Sequence, residues 1–102
     1  MVNKKIASIY VEHATLHICG YLDFATVMQV WEKSLEYLST HTSWRMDFSE
    51  VQSSNSVVVS LILEWLKKAK RQHKPIQLLH LPKQVLAIAH VSSLDKLLQN
   101  IS

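Results

Sequence analysis

Apolar and polar residues alternate singly at the start of the chain, then switch to a helical rhythm. Ile6 to Val11 (IASIYV) and Thr15 to Cys19 (TLHIC) are short β-prone runs with Glu12-His13-Ala14 between them, a pattern that predicts a hairpin. Gly20 breaks the alternation. Phe24, Val27, Met28, Trp31, Leu35 and Leu38 then recur at helical spacing and predict a helix that buries this face, capped by Asp23 or Thr26. Ser43 to Phe48 returns to strand character, and Ser49 to Ser56 reads as the turn that follows it. Val58, Leu61, Ile62, Trp65, Leu66 and Ala69 form a second helical stripe with Asn55 or Ser56 as N-cap. Lys74-Pro75 stops that helix, and Ile76 to Leu79 reads as a compact buried strand. Pro82 suits the first turn of a third helix carrying Val85, Leu86, Ile88 and Ala89. Ser92 or Ser93 can cap a last short helix with Leu94, Leu97, Leu98 and Ile101.

The resulting order, β-β-α-β-α-β-α-α, predicts an α/β fold. Its sheet is mixed and mostly parallel, with an antiparallel edge hairpin, and about four helices pack it. A chain of 102 residues, 48% hydrophobic and 19% charged, has material for one packed core and is expected to form one domain. Its longest apolar run, Val57 to Leu63, is interrupted by Ser60 and is far too short to span a bilayer. The opening Met1-Val2-Asn3-Lys4-Lys5 is followed by no long apolar stretch of the secretory kind. One cysteine, Cys19, rules out an internal disulfide framework and suits a reducing compartment.

Candidate chemistry is sparse. The turn after Phe48 has no glycine, so it offers neither a phosphate-cradling loop nor the strained elbow of a nucleophilic serine. Six histidines are scattered without a metal-ligand spacing, and no carboxylate pair invites acid–base work. No metal site, cofactor or enzymatic activity is therefore expected. The formal charge of +3 is modest, and Lys67, Lys68, Lys70, Arg71 and Lys74 read as a solvated helix end whose cations complement the helix dipole. No nucleic-acid partner is expected.

The stretch Met46-Asp47-Phe48-Ser49-Glu50-Val51, followed by Asn55-Ser56-Val57-Val58-Val59-Ser60-Leu61-Ile62-Leu63, resembles the signature of STAS domains. That signature is Asp-hydrophobic-Ser-x-Val, a short gap, Asp-Ser/Thr-small-Gly-Leu, then an aliphatic helix. Gly20-Tyr21-Leu22-Asp23-Phe24 is similar to the family's Gly-x-Leu-Asp turn, so the resemblance runs over almost the whole chain. Two branches matter. Anti-sigma-factor antagonists are switched by phosphorylation of the signature serine, here Ser56. MlaB-type subunits bind the ABC ATPase of a phospholipid-transport system that maintains outer-membrane lipid asymmetry in Gram-negative bacteria. The short length, and Leu61-Ile62-Leu63 leading into a basic helix end, place this chain nearer the MlaB type. Asn55 stands where the signature has Asp, and Val57-Val58 where it has a small residue and Gly. A kinase would lose its acidic neighbour, so Ser56 reads as helix cap and contact residue rather than phosphoacceptor.

The resemblance implies a non-catalytic cytoplasmic subunit held at the inner membrane through its partner ATPase; nothing indicates a homo-oligomer. The partner-binding residues expected are Gln52, Ser53, Ser54, Asn55, Ser56, Val59, Ser60 and Leu63, with Gln84 and Ile88 as a secondary contact. On a helical wheel Val59 and Leu63 fall beside the core stripe, which predicts an aliphatic strip next to the serine-rich turn.

Overall fold

A computed structural model describes residues 7–53, 56–83 and 85–86. The elements run β1 (Ala7–Glu12), β2 (Thr15–Tyr21), α1 (Val27–Thr40), β3 (Trp44–Ser53), α2 (Ser56–Gln72) and β4 (Ile76–Leu79). The sheet order is β1-β2-β3-β4. β1 pairs antiparallel with β2, whereas β2–β3 and β3–β4 are parallel. The mixed sheet with its antiparallel edge hairpin is as expected. Of the four helices expected, α1 and α2 are described in full. At Pro82 a further helical turn opens, where Val85 N–H (3.0 Å) and Leu86 N–H (3.1 Å) donate to the Pro82 carbonyl. The segment expected to form the last helix lies outside the described residues.

Each parallel pair is joined through a helix. Two right-handed crossovers advancing in one direction across a sheet put both helices on the same face. Side chains that alternate toward that face are buried: Leu16 and Ile18 on β2, Trp44, Met46 and Phe48 on β3, Leu78 on β4. They join Val30 and Leu38 of α1 and Val58, Leu61, Ile62 and Trp65 of α2 in one core. The stripe expected on α2 is therefore the observed one. Trp65 is fully buried, meets Phe48 edge-on at 6.2 Å, and donates its indole N–H to Ser34 Oγ at 3.1 Å.

The other helix departs from expectation. α1 buries Val30, Ser34, Tyr37 and Leu38. Its core face is thus turned roughly 80° about the axis from the apolar stripe, at 100° per residue. Met28 and Leu35 are exposed as a result, and Phe24 stands in the turn ahead of the helix. Polar tethers hold this orientation. Tyr37 donates its hydroxyl to the Ala14 carbonyl at 2.8 Å and accepts the Arg45 N–H at 3.0 Å, linking helix, hairpin tip and β3. The C-terminal carbonyls of α1 are capped from afar: Leu38 O and His41 O accept from Trp44 Nε1 (3.2 and 3.1 Å) and from Lys74 Nζ (2.9 and 3.1 Å). Lys74 Nζ also sits 5.3 Å from the Trp44 ring centroid. Lys74 thus leaves the solvated basic cluster and serves as a structural strut.

The hairpin closes through His13 (φ 53°) and Ala14 (φ 60°), both in the left-handed region that a two-residue turn of this kind demands. Neither residue is glycine, and Ala14 bears a Cβ that this conformation penalises. Ala14→Gly should raise stability by about 1 kcal/mol and Tm by about 4–8 °C. The Tyr37 bond to the residue-14 carbonyl is retained. A thermal melt that fell or stayed unchanged would contradict a strained turn.

Candidate functional site

Three local structures build the face at the N-terminal ends of the two helices. After β2, Asp23 Oδ1 accepts from Ala25 N–H (2.9 Å) and Thr26 N–H (3.1 Å), and the Asp23 carbonyl accepts from Val27 N–H (2.9 Å). Thr26 Oγ1 in turn donates to the Tyr21 carbonyl at 2.7 Å. Asp23 caps the turn while Thr26, the N-cap residue by position, anchors it to β2. Locked in this way, the turn presents Phe24 to solvent with 79% of its surface exposed. Met28, one turn into α1, is 58% exposed.

Facing them is the N-terminal half of α2. Phe24, Val27, Met28 and Trp31 on one side, with Val57, Ser60, Leu61 and Glu64 on the other, enclose a groove of about 480 Å³. Among the described residues lining it Glu64 is the one with a charge, and Lys67 Nζ lies 3.4 Å from that carboxylate. An apolar channel of this volume with few polar groups at its rim has the character of a binding site for an apolar side chain or ligand. Single exposed apolar residues are ordinary, but Phe24 and Met28 next to a preformed groove make a contiguous patch.

The third structure is β3, which runs on to Ser53 where a turn was expected from Ser49. A bulge explains the difference: between the pairs His17–Asp47 and Cys19–Glu50, β3 carries one residue more than β2. The Ser49 N–H donates to Asp47 Oδ1 at 2.7 Å. Past the bulge Val51 packs against the core. Gln52 is therefore an exposed strand residue and Ser53 the last residue of the strand. Ser54 and Asn55 lie outside the described residues, as do Gln84 and Ile88. Ser56 is exposed and is the first residue of α2 rather than its cap. Ser60 is exposed and lines the groove, whereas Val59 and Leu63 fall on the opposite flank of α2. Both are half-buried, and Val59 packs against the core, so the aliphatic strip expected there is narrower than the Phe24–Met28 patch.

The far face of the sheet carries the titratable groups. Tyr10 stacks on His17 with ring centroids 4.6 Å apart and donates its hydroxyl to Glu50, whose carboxylate pushes the phenol up to about 12. Partial burial, seconded by the Glu50 charge, pushes the Cys19 thiol up and keeps it protonated. At Asp47 partial burial opposes ionisation. The Ser49 backbone and side chain, with His80 Nδ1 at 3.2 Å from Oδ2, outweigh it and hold the carboxyl below its usual range. A carboxyl depressed in the folded state adds stability above its unfolded pKa, and that stability is lost as pH falls through the lower folded value. Asp47→Asn should accordingly destabilise the protein at pH 7, with a gap to the unaltered chain that starts to narrow only near about pH 4, the unfolded carboxyl's range, and closes below the depressed folded value, as read by urea unfolding at pH 7 and at a pH below that folded value. Equal gaps at the two pH values would count against it. Among the described residues no three His, Cys, Asp or Glu side chains come together as a metal site. No described helix is long and apolar enough to cross a membrane.

The family model for the MlaB STAS domain matches residues 7–99. The chain belongs to the MlaB-type STAS domain family. Over 92 residues it is 25% identical to the intermembrane phospholipid transport system binding protein MlaB of Haemophilus influenzae, an alignment covering 84% of this chain and 86% of that one. Among solved structures it is similar to the anti-sigma factor antagonist SpoIIAA in its unphosphorylated form, with a TM-score of 0.67 and 20% identity over 88% of this chain and 83% of that one. The parts of this STAS domain that carried the resemblance now have places: Asp47 organises the β3 bulge, Asp23 the turn before α1, and Ser56 the start of α2. Phe24 and Met28 were missed as surface residues because they fit the apolar stripe. The available signal was an apolar sector on α1 wider than one buried face requires.

Proposed function

We propose that this STAS domain is a non-catalytic subunit of a phospholipid-transport system, working at the cytoplasmic face of the inner membrane by binding the transporter's ABC ATPase. One observation carries the docking surface: the apolar groove between α1 and α2, open to solvent beside exposed Phe24 and Met28. Ser60 in the groove wall and Ser56 at the head of α2 supply the polar border that interface cores commonly have. The name of the Haemophilus relative, a binding protein of an intermembrane phospholipid transport system, supports the choice of partner. Binding favours whichever arrangement of the ATPase the domain holds more tightly, and shifts it only by that difference in affinity.

The test is co-purification with the ATPase specified beside this chain in its genome, using Ser56→Arg and Ser60→Arg. Both positions are exposed, so the variants should fold, and a bulky cation at either should weaken capture of the ATPase. Full capture by both folded variants would reject this surface, and no capture by the unaltered chain would reject the partner.

A second reading keeps Ser56 as a phosphoacceptor in an anti-sigma-factor antagonist. It is favoured by the exposed Ser56 at the N-terminus of a 17-residue helix, where a phosphate would meet the positive end of the helix dipole, and by the likeness of the fold to SpoIIAA. It expects a gain of one phosphate at Ser56 in intact-mass analysis after incubation with the cognate anti-sigma kinase. An unchanged mass would dismiss it.

A further inference from the structure

The positive charge of the described residues is gathered in one place. Lys67, Lys68, Lys70 and Arg71 fall within the last two turns of α2, with Glu64 just ahead of them. Elsewhere among the described residues four cations (Lys33, Arg45, Lys74 and Lys83) stand against six carboxylates. Charge is thus polarised, with a cationic end to α2 and a mildly anionic remainder. Folding leaves that end free to act. His73, at φ 54°, donates its N–H to the Lys70 carbonyl at 3.3 Å, and the Lys74 N–H donates to the Ala69 carbonyl at 2.9 Å. This is the paired closure of a Schellman motif, and it asks nothing of the basic side chains. Lys67 and Glu64, 3.4 Å apart and each more than half exposed, make the one ion pair of the cluster among the described residues. Lys70 and Arg71 are exposed and Lys68 is half-buried, and none of the three has an acidic partner among the described residues. At 100° per residue, Lys67, Lys70 and Arg71 share an arc of about 100° centred almost opposite the buried Trp65. All three therefore point away from the sheet.

We propose that the C-terminal end of α2 docks on the anionic headgroups of a phospholipid bilayer. Charge complementarity selects this partner. A headgroup layer is a diffuse sheet of negative charge, and a cluster of four cations on one helix end is of the size that such a layer attracts. Three of the four are lysines, compact charges on flexible stems, which suit a fluid surface better than the fixed bidentate contacts of nucleic-acid recognition. From Lys67 to Lys74 there is no Phe, Tyr or Trp to stack on a base. The opposite face of α2 is buried in the core, so the helix lies against the headgroups and does not enter the bilayer. The choice of a bilayer rests on the reading of a lipid-transport subunit working at the membrane. Arg71 stands about 10 Å along the helix beyond Glu64 of the ATPase-binding groove, so the two partners take different parts of α2. Vesicles contain no ATPase, so the two readings fail separately.

The test is co-flotation of the full chain with vesicles of phosphatidylcholine, alone or in equal mixture with phosphatidylglycerol. The chain should bind the anionic vesicles only, and binding should fade as added salt screens the charges. Lys70→Gln should weaken it about fivefold, and Lys70→Gln with Arg71→Gln about twenty-five-fold, since each cation near an anionic surface contributes a similar share. Lys33→Gln removes the same unit charge from an exposed position on α1 and should weaken binding less than about twofold. These positions are exposed, so the variants should melt with the unaltered chain. Equal losses from Lys33→Gln and Lys70→Gln would mean a response to net charge alone and would overturn the proposal. So would a chain that ignores anionic vesicles at low salt, or one that binds phosphatidylcholine equally well. Retention of duplex DNA in place of the vesicles, lost with Lys70→Gln, would assign the cluster to nucleic acid and overturn it too.

Discussion

Trp65→Ala should cost about 3–5 kcal/mol of folding stability, enough to leave a domain of this size close to unfolded at room temperature. Trp65 is fully buried between α2 and the sheet, where it is the largest side chain that joins Phe48 of β3 to α1. Removing it opens a cavity and also strands its polar partner. Ser34 Oγ, fully buried on α1, accepts the indole N–H at 3.1 Å and donates to the Trp31 carbonyl at 2.6 Å. Ser34→Ala should cost about 1–3 kcal/mol, since a buried N–H then loses its acceptor. Trp65→Phe removes the same bond from the other end. The double variant should be less destabilised than the sum of the two, by about 0.5–3 kcal/mol. Urea unfolding of the four proteins measures this coupling. Strict additivity would mean that the indole N–H is satisfied elsewhere, and that the Ser34–Trp65 contact does not set how α1 rests on α2.

That same contact explains what could and could not be read from the sequence. The places of the strands and the face of α2 were legible because their buried positions, Thr15 apart, are apolar and their periodicity is clean. Val58, Leu61, Ile62, Trp65 and Ala69 are buried as the stripe requires. On α1, two of the four buried residues, Ser34 and Tyr37, carry hydroxyls, and their burial depends on Trp65, Ala14 and Arg45. Those partners lie 8 to 31 residues away in the chain, beyond the reach of any local pattern. An apolar stripe with Phe24, Met28 and Leu35 in it thus pointed the helix the wrong way by most of a quarter turn, and hid the groove as core. β3 was cut short for a related reason. Its last residues are polar and serine-rich, and they stay paired with β2 past two register shifts, the first of them the bulge that Asp47 supports. The signature serine kept its expected place at the head of α2, because Lys74-Pro75 and the helical stripe together leave one start for that helix.

Phe24→Asp and Met28→Glu should each weaken binding to the ATPase by about 2 kcal/mol, roughly thirtyfold in Kd, and leave the fold intact. The first half follows from where these side chains stand. Phe24 has 79% and Met28 58% of its surface in water, against a groove walled by Trp31, Val57 and Leu61. A partner that covers them dehydrates a large apolar patch, and a carboxylate placed there must be buried beside Glu64, with which the nearby Lys67 is already paired. The second half follows from the same exposure: groups that contribute little to the monomer's core change stability by about 0.5 kcal/mol or less. Leu63→Glu is the discriminating control, because Leu63 stands on the opposite flank of α2 and is half-buried. It should reduce affinity less than either groove variant. Titration of the ATPase with each folded variant reads the order directly. If Leu63→Glu abolished binding while Phe24→Asp and Met28→Glu bound normally, the landing face would be the flank of Val59 and Leu63. The groove between the helices would then be only the gap left by a helix turned away from its apolar stripe.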